Sequence, residues 1–394
     1  MRARVETAIA DSRIQRAFRF ISEHESQIEA DQIRLTEIPA PPFGETERAR
    51  AFSDELAGLK LHPSTDSIGN VIARYEGLGN NPLVVGAHLD TVFPASTPLH
   101  LRRKGRMLLM PGISDNGSGI VALLWAMRAA KEVGLRFRRP VVAVGTVGEE
   151  GEGNLRGVRH LFNAPPWSGR ECEFIAVDGG GLHRITHQAL GSRRFRVAMR
   201  GPGGHSWADF GRPNPVQAIA AAIHTFSTTS SAGTGKQPGN SFNFGVIRGG
   251  ISVNAIPSEA FMEVDLRSIA SANLEELDQQ LKRAVSDAAR ISGVEFQIEK
   301  MGERPSGMTL PESPIVQAAL EATRTFRVEP RLDVGSTDAN IPMSMGLPAI
   351  AIGGGGISGS IHTPEEWFDP SHRNLGIQRL LTLMAVLAGL QNDI

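Results

Sequence analysis

The 394-residue sequence predicts an α/β protein interrupted by a smaller α+β unit. Three observations carry that prediction. Short, almost wholly apolar runs bounded by turn formers, NPLVVGAH, PVVAVGTV, EFIAVDGGG and LPAIAIGGGG, read as buried strands. Helical patterns alternate with them, which calls for a sheet covered on both faces, a three-layer arrangement. From about residue 190 to about 303 the texture changes to half-exposed strands and amphipathic helices in the order β-α-β-β-α-β, that of a ferredoxin-like unit. The expected organisation is a discontinuous α/β domain, residues 1–189 and 304–394, with residues 190–303 inserted.

Two helical patterns open the chain, about 12–34 and about 45–59, separated by the breaker IPAPPFG. After the first buried strand, DNGSGIVALLWAMRAAKEVG reads as a helix, with the polar cluster from Asp115 to Ser118 at its start and Gly134 just past its end. The strands PVVAVGTV and EFIAVDGGG follow. In the insert, SRRFRVAMR alternates like a half-exposed strand, NPVQAIAAAIHTFSTT is helical, and SFNFGVIRGG and EAFMEVDLRS are strands. LEELDQQLKRAVSDAARISG is a long amphipathic helix and VEFQIEKM a closing strand. The α/β texture then returns with SPIVQAALEATRTF as a helix, LPAIAIGGGG running into a glycine loop, and RNLGIQRLLTLMAVLAGL as the final helix.

Composition bounds the function. With 41 basic and 42 acidic residues there is no electrostatic footprint for nucleic acid or an anionic membrane. Forty-one per cent hydrophobic residues supply sizeable cores. The single cysteine, Cys172, excludes an intrachain disulfide and fits a reducing compartment. The N-terminal MRARVETAIADSRIQRAF has no apolar core of a secretory signal, and no run approaches the roughly 20 apolar residues that span a bilayer. A cytoplasmic location is the expectation.

The chemistry lies at strand ends. His88 and Asp90 follow VVGA, Asp115 sits in GISDNGSG, Glu149 and Glu150 follow AVGTVG, and Asp178 follows FIAV. His362, in GISGSIHTPEEW, comes from the loop after the last apolar strand. Ligands of open α/β sheets bind outside the carboxyl ends of the strands, so these residues are expected to be neighbours in space. Taken singly, His88 suits a structural histidine, Asp115 a helix cap and Asp178 a turn. Jointly they gather five carboxylates, whose repulsion protons or cations must relieve. Two histidines among them favour zinc, cobalt or manganese over magnesium or calcium, and the ligand count suits two ions with one bridging carboxylate.

In the order GAHLDTV, SDNGSG, GEEGEGNLRG, VDGGG, GPGGHSW, VNAIPSEAFMEVDLRS, GSTDAN and IHTPEEW, the chain resembles the M20 metallopeptidases, the group of peptidase T, carboxypeptidase G2, aminoacylase and succinyl-diaminopimelate desuccinylase. The resemblance implies a zinc-dependent exopeptidase-like α/β domain interrupted by a ferredoxin-like dimerisation (lid) domain. It implies His88, Asp115 and Asp178 as ligands of one zinc, and Asp115, Glu150 and His362 as ligands of the other. Glu149 matches the general base and Asp90 the carboxylate that orients His88. His205 in GPGGHSW, Asn254 and Arg267 match positions that contact substrate or stabilise the intermediate, and the histidine implies a homodimer. Aspartate at 178, where carboxypeptidases and acyl-amino-acid hydrolases often carry glutamate, points to an aminopeptidase for short peptides. An N-acyl-amino-acid amidohydrolase, a carboxypeptidase and a non-catalytic binding protein are the alternatives. Asp338 and the run from Gly353 to Gly356 are candidates for shaping the pocket, whereas His183 and His187 read as structural.

Overall fold

Strict alternation of apolar side chains in the four buried runs sends neighbours to opposite faces of one sheet. Leu83, Val85, Ala87, Val141, Ala143, Ile175, Val177, Ile350 and Ile352 pack into one core. Their neighbours Val84, Val142, Val144, Phe174, Ala176, Ala349 and Ala351 pack into a second. Both faces are therefore dry, as continuous apolar strands require. The computed structural model describes residues 1–165, 169, 171–230 and 239–391.

The chain divides into two compact units, Met1–Ala189 with Met308–Ile394, and Leu190–Gly307. In the first, the sheet runs in the order Ser64–Thr65, Val71–Tyr75, Val141–Thr146, Leu83–His88, Glu173–Val177, Ala349–Ile352 and Arg184–Ala189. Arg331–Gly335 also pairs with Arg184–Ala189. The central pairs are parallel: Leu83–His88 with Val141–Thr146 and Glu173–Val177, and Ala349–Ile352 with Glu173–Val177. The C-terminal ends of these strands thus share one rim. Helices Gly117–Glu132, Pro314–Thr325 and Arg373–Ala388 cover the first core, and Arg156–Asn163 and Asn340–Ser344 the second.

The N-terminal region departs from the sequence expectation. The stretch expected as one helix over 12–34 is two helices, Ser12–Glu23 and Glu25–Thr36, and a further helix, Arg2–Ala10, precedes them. The break falls at His24, whose Nδ1 lies 2.8 Å from the Phe20 carbonyl and whose ring packs 4.2 Å from the Phe20 ring. Asp11 caps the second helix by accepting from the Arg13 amide at 2.8 Å. Arg2–Ala10 buries only Val5 and Ala8, too thin an apolar stripe to stand out in the sequence. The helix Thr46–Gly58 lies where the second pattern does.

A second, small sheet was not anticipated. Arg102–Lys104, Met107–Leu109, Trp367–Asp369 and Ile357–Gly359 pair antiparallel around Leu99, Leu108, Met110, Ile113 and Phe368. It turns the segment carrying His362 into a hairpin loop.

In the inserted unit the strand order is Asn240–Gly249, Glu259–Ser268, Gly191–Arg200 and Glu295–Arg304, all antiparallel. Helices Pro215–Thr229 and Ser271–Ser292 cover one face around Phe195, Val197, Met262, Leu266, Leu277 and Leu281. Asn214 caps the first of these helices with Pro215 at its first position. Among the described residues no helix is long and apolar enough to cross a membrane.

One buried cation ties the N-terminal helices to the rim. Arg48 is wholly buried and donates to the carbonyls of Leu89 at 2.9 Å, Thr36 at 2.9 Å and Ile38 at 2.6 Å. Arg48→Met is expected to destabilise the chain by about 2–4 kcal/mol, because buried carbonyls lose their donor. Arg48→Lys is expected to recover only part of that, since an ammonium cannot reproduce the guanidinium fork. Urea denaturation of the three proteins checks both.

Candidate dinuclear metal site

Each strand end delivers one piece of the site. His88 is the last residue of Leu83–His88, Asp178 follows Glu173–Val177, and Glu149 and Glu150 follow Val141–Thr146 by three and four residues. The Glu149–Glu150 turn needs Gly148 at φ +67°, where a Cβ would fall 2.6 Å from Arg156 Cγ. Asp115 precedes the helix Gly117–Glu132, but the capping residue is Asn116, whose Oδ1 accepts from the Gly119 amide at 3.1 Å. The same oxygen accepts from the Gly179 amide at 3.1 Å, and Asn116 Nδ2 donates to Val177 O at 2.9 Å. Asn116 therefore staples the helix start to the strand end that carries Asp178. This approach requires Gly119, since a Cβ there would lie 2.1 Å from Asn116 Oδ1 and 2.3 Å from Val177 O. Asp115 is left free of the capping task.

The side chains converge. His88 Nε2 lies 3.0 Å from Asp115 Oδ1 and 3.6 Å from Asp178 Oδ1. His362 Nε2 lies 3.1 Å from Asp115 Oδ2 and 2.8 Å from Glu150 Oε1. Donor atoms of His88, Asp115 and Asp178, of Asp115, Glu150 and His362, and of His88, Glu149 and Glu150 each lie within 4.8 Å of one another. Asp115 thus offers one oxygen to each imidazole. Asp90, wholly buried, lies 3.6 Å from His88 Nδ1 and accepts from the amides of Glu149 at 3.0 Å and Glu150 at 2.7 Å.

Electrostatics set the charge balance of this cluster. Burial opposes a charge on His88, yet hydrogen bonds to Asp115, Asp178 and Asp90 carry its pKa well above the usual imidazole value. His362 is pushed up to about 10 by hydrogen bonds to Asp115 and Glu150. Burial raises Glu150, with the charge of Asp115 adding to the effect, although His362 draws it down. Asp115 is buried too, but His362 and His88 hold its carboxyl well below the ordinary range. The cluster draws positive charge to the two places where the histidines stand. Imidazole with carboxylate, around a carboxylate that faces both ways, is a donor set suited to two divalent ions.

Several supporting residues carry no signal in the sequence. Glu366, the second acid of TPEEW, is wholly buried and accepts from the amides of Gly112, Ser114 and Asp115. Its neighbour Glu365 is exposed and pairs with Arg102, and nothing in the sequence separates the two. Asn70 Oδ1 accepts from the Val147 amide at 3.1 Å and Asn70 Nδ2 donates to Gly157 O at 3.0 Å, closing the loop that bears Glu149 and Glu150. Asp338 is buried. It accepts from Thr146 Oγ1, and burial pushes its carboxyl up to about 6.

His205, Asn254 and Arg267 belong to the unit Leu190–Gly307. His205 pairs with Ala255 in a two-stranded ribbon, and the Asn254 carbonyl accepts from Ser206 at 3.0 Å, so the first two are neighbours. The amides of Trp207 and Ala208 donate to His205 Nδ1, which leaves Nε2 to carry the proton of the neutral ring. Arg267 lies eight residues along the central strand from Glu259, about 25 Å at the usual rise, and pairs with Asp265 at 2.8 Å. His187 bonds the Thr309 carbonyl through Nδ1, a structural contact.

Comparison with known proteins identifies the family. The profile of Peptidase family M20/M25/M40 matches residues 84–386. Carboxypeptidase G2 of Pseudomonas sp. (strain RS-16) is 25% identical over 294 residues, covering 71% of this chain and 68% of its own. Among solved structures, aminopeptidase PepT from Bacillus cereus superposes with a TM-score of 0.77 at 19% identity, covering 92% of this chain and 99% of its own. The Bacillus subtilis YXEP protein, described as a dinuclear metal-binding peptidase, gives a TM-score of 0.70 at 15% identity, covering 93% and 99%. With the family profile spanning most of its length, the chain belongs to peptidase family M20/M25/M40 and is a hydrolase of peptide or amide bonds.

Proposed function

We propose that the protein is a dizinc aminopeptidase for di- and tripeptides, with cobalt or manganese able to replace zinc. One observation carries the reading: Asp115 Oδ1 faces His88 at 3.0 Å while Asp115 Oδ2 faces His362 at 3.1 Å. His88, Asp115 and Asp178 would hold one ion, and Asp115, Glu150 and His362 the other. Bound there, the ions would lower the pKa of a water toward neutrality and polarise the scissile carbonyl. The backbone carbonyl of Asp90, 3.2 Å from His88 Nδ1, accepts from that nitrogen, with the Asp90 carboxylate 3.6 Å away, so that Nε2 is available as a ligand. Glu149 is buried beside Glu150 and takes the proton of the attacking water. The hydroxyl oxygen bonds to the carbonyl carbon, the carbon–nitrogen bond breaks as the same carboxyl returns its proton to the leaving amine, and the new carboxylic acid gives up its own proton to solvent. His205 and Asn254 are assigned as donors to the oxyanion, and Arg267 as a contact for a substrate carboxylate.

The preference for a free amino terminus rests on Asp178, whose short side chain leaves room for an amine next to the ion it would hold. The relationship to carboxypeptidase G2 supports the second reading, in which a carboxypeptidase or an N-acyl-amino-acid amidohydrolase uses the same centre. A homodimer through the inserted unit and a cytoplasmic location complete the proposal. Exposed Trp207, Phe210, Ile251 and Val253 around the His205 ribbon support the first. The buried, unpaired Cys172 supports the second.

The zinc-loaded protein is expected to release the first residue of unblocked tripeptides and to leave N-acetylated ones intact. Faster cleavage of N-acyl or N-carbamoyl amino acids in the same chromatographic assay would transfer the assignment to the second reading. Glu149→Ala is expected to retain both ions, measured by elemental analysis, and to lose on the order of 10²–10⁴ in kcat. Undiminished turnover in that variant removes Glu149 from its role.

A pH effect follows from the raised histidines. A histidine raised in the fold adds stability below about 6.5, its unfolded value, and that contribution is lost as pH rises through about 10 for His362. The metal-free protein is therefore expected to lose stability between pH 7 and 10, whereas the loaded protein holds it. Loading near pH 7 is expected to expel protons from His88 and His362. Calorimetry in buffers of different ionisation enthalpy reads that release directly.

A further inference from the structure

The segment from Gly112 to Asp115 forms a small concavity of backbone amides. Gly112 has φ +79° and the Ile113 amide donates to Met110 O at 3.1 Å, a turn that aims the following N–H groups inward. A single side chain fills the concavity. Glu366 Oε2 accepts from Gly112 at 2.9 Å, while Oε1 accepts from Ser114 at 2.8 Å and Asp115 at 3.0 Å. The backbone of Glu366 is tied on both sides as well. Its carbonyl accepts from the Met110 amide at 3.0 Å, and its amide donates to Thr363 O at 3.1 Å. One residue therefore joins the segment of Asp115 to the hairpin loop of His362.

We propose that Glu366 is the positioning residue for Asp115 and His362, fixing the loop so that the Asp115 carboxylate faces both histidines. Packing alone does not account for a carboxylate there. A buried acid is costly unless its oxygens are matched by donors, and an apolar side chain of similar size would fill the same space. What an apolar residue cannot do is hold converging amides in one register. The demand is tight, because a bridging carboxylate misplaced by about 0.5 Å serves one ion and loses the other. Glutamine is the informative replacement. It keeps the volume but turns one acceptor into an amide donor, which then faces backbone N–H groups and opens the turn.

For its metal readout this inference rests on the dinuclear reading, so the experiment has two arms. Wild type, Glu366→Gln and Glu366→Asp are prepared metal-free, titrated with zinc by calorimetry, and compared by hydrogen exchange over residues 110–116. In Glu366→Gln one of the two binding steps is expected to weaken about 10–100-fold. The amides of Gly112, Ser114 and Asp115 are expected to exchange faster. Glu366→Asp, one methylene shorter, should show the same pattern with smaller amplitude, and it carries the test if the glutamine variant does not fold. A merely structural residue would lower the unfolding temperature and leave both binding steps intact, and that result overturns the proposal while the hydrolase reading stands. If the wild type takes up no zinc, the dinuclear reading falls. The exchange arm then decides alone: unchanged protection over 112–115 in both variants overturns the role of Glu366, and accelerated exchange sustains it.

Discussion

Negative charge crowded onto one sheet rim is the constraint on which the rest of the structure turns. Two carboxylates about 4 Å apart repel by about 4 kcal/mol at an effective dielectric near 20. Asp90, Asp115, Glu149, Glu150, Asp178 and Glu366 all lie within one small region of the first unit. The scaffold deals with them in two ways. Those with no task at the open face are matched by backbone donors: Asp90 by the amides of Glu149 and Glu150, Glu366 by those of Gly112, Ser114 and Asp115. At the open face Asp115, Asp178 and Glu150 stand against imidazole, and imidazole answers a carboxylate fully only when it carries a proton. Burial opposes a charge on His88, but hydrogen bonds to these carboxylates raise both imidazoles, so the rim favours positive charge where His88 and His362 stand.

Parallel strands explain why the cluster can exist at all. Adjacent parallel strands bring their C-terminal ends to one edge, so residues as far apart as His88 and Asp178 meet without a long connecting loop. Dry packing on both faces then holds those ends still. Asn116 and Asn70 extend the same rigidity into the loops, each bonding backbone groups from segments remote in sequence. Loops anchored in this way behave as parts of the sheet, and a metal centre built on them inherits its precision.

The strands and the ligand candidates were legible because each leaves a local mark. A strand buried on both faces is an unbroken apolar run, and an acid or histidine at its end breaks that run conspicuously. What was not legible depends on partners far along the chain. The strands Ser64–Thr65 and Arg102–Lys104 are exposed and too short to show a period. His24 breaks a helix for reasons that involve Phe20 and Trp125. Asp115 and Asn116 are equally good caps by type, and only the spacing to Gly119 and Gly179 assigns the cap to Asn116. Glu366 is the sharpest case. It stands next to an exposed glutamate, and its purpose lies about 250 residues upstream.

The adjacent pair Glu149 and Glu150 shows how one residue type can be set in two different environments. Their backbone amides are held by the two oxygens of one carboxylate, Asp90, so the pair is fixed as a unit. From that common anchor the side chains diverge. Glu150 reaches His362 at 2.8 Å and shares a donor group with Asp115 and His362, whereas Glu149 joins a group with His88 and Glu150 only. Hence the first acid lies on the side of one histidine and the second spans toward the other. In the proposed mechanism a ligand must stay deprotonated and tightly held while a base must exchange a proton in every cycle, so the two tasks are given to two carboxylates. Setting them on consecutive residues keeps them a few ångströms apart. Asp90, whose backbone carbonyl lies 3.2 Å from His88 Nδ1, ties the position of Glu149 to the position of His88. Displacement of any one of the three would be felt by the other two, and that coupling is what makes this rim a single chemical unit.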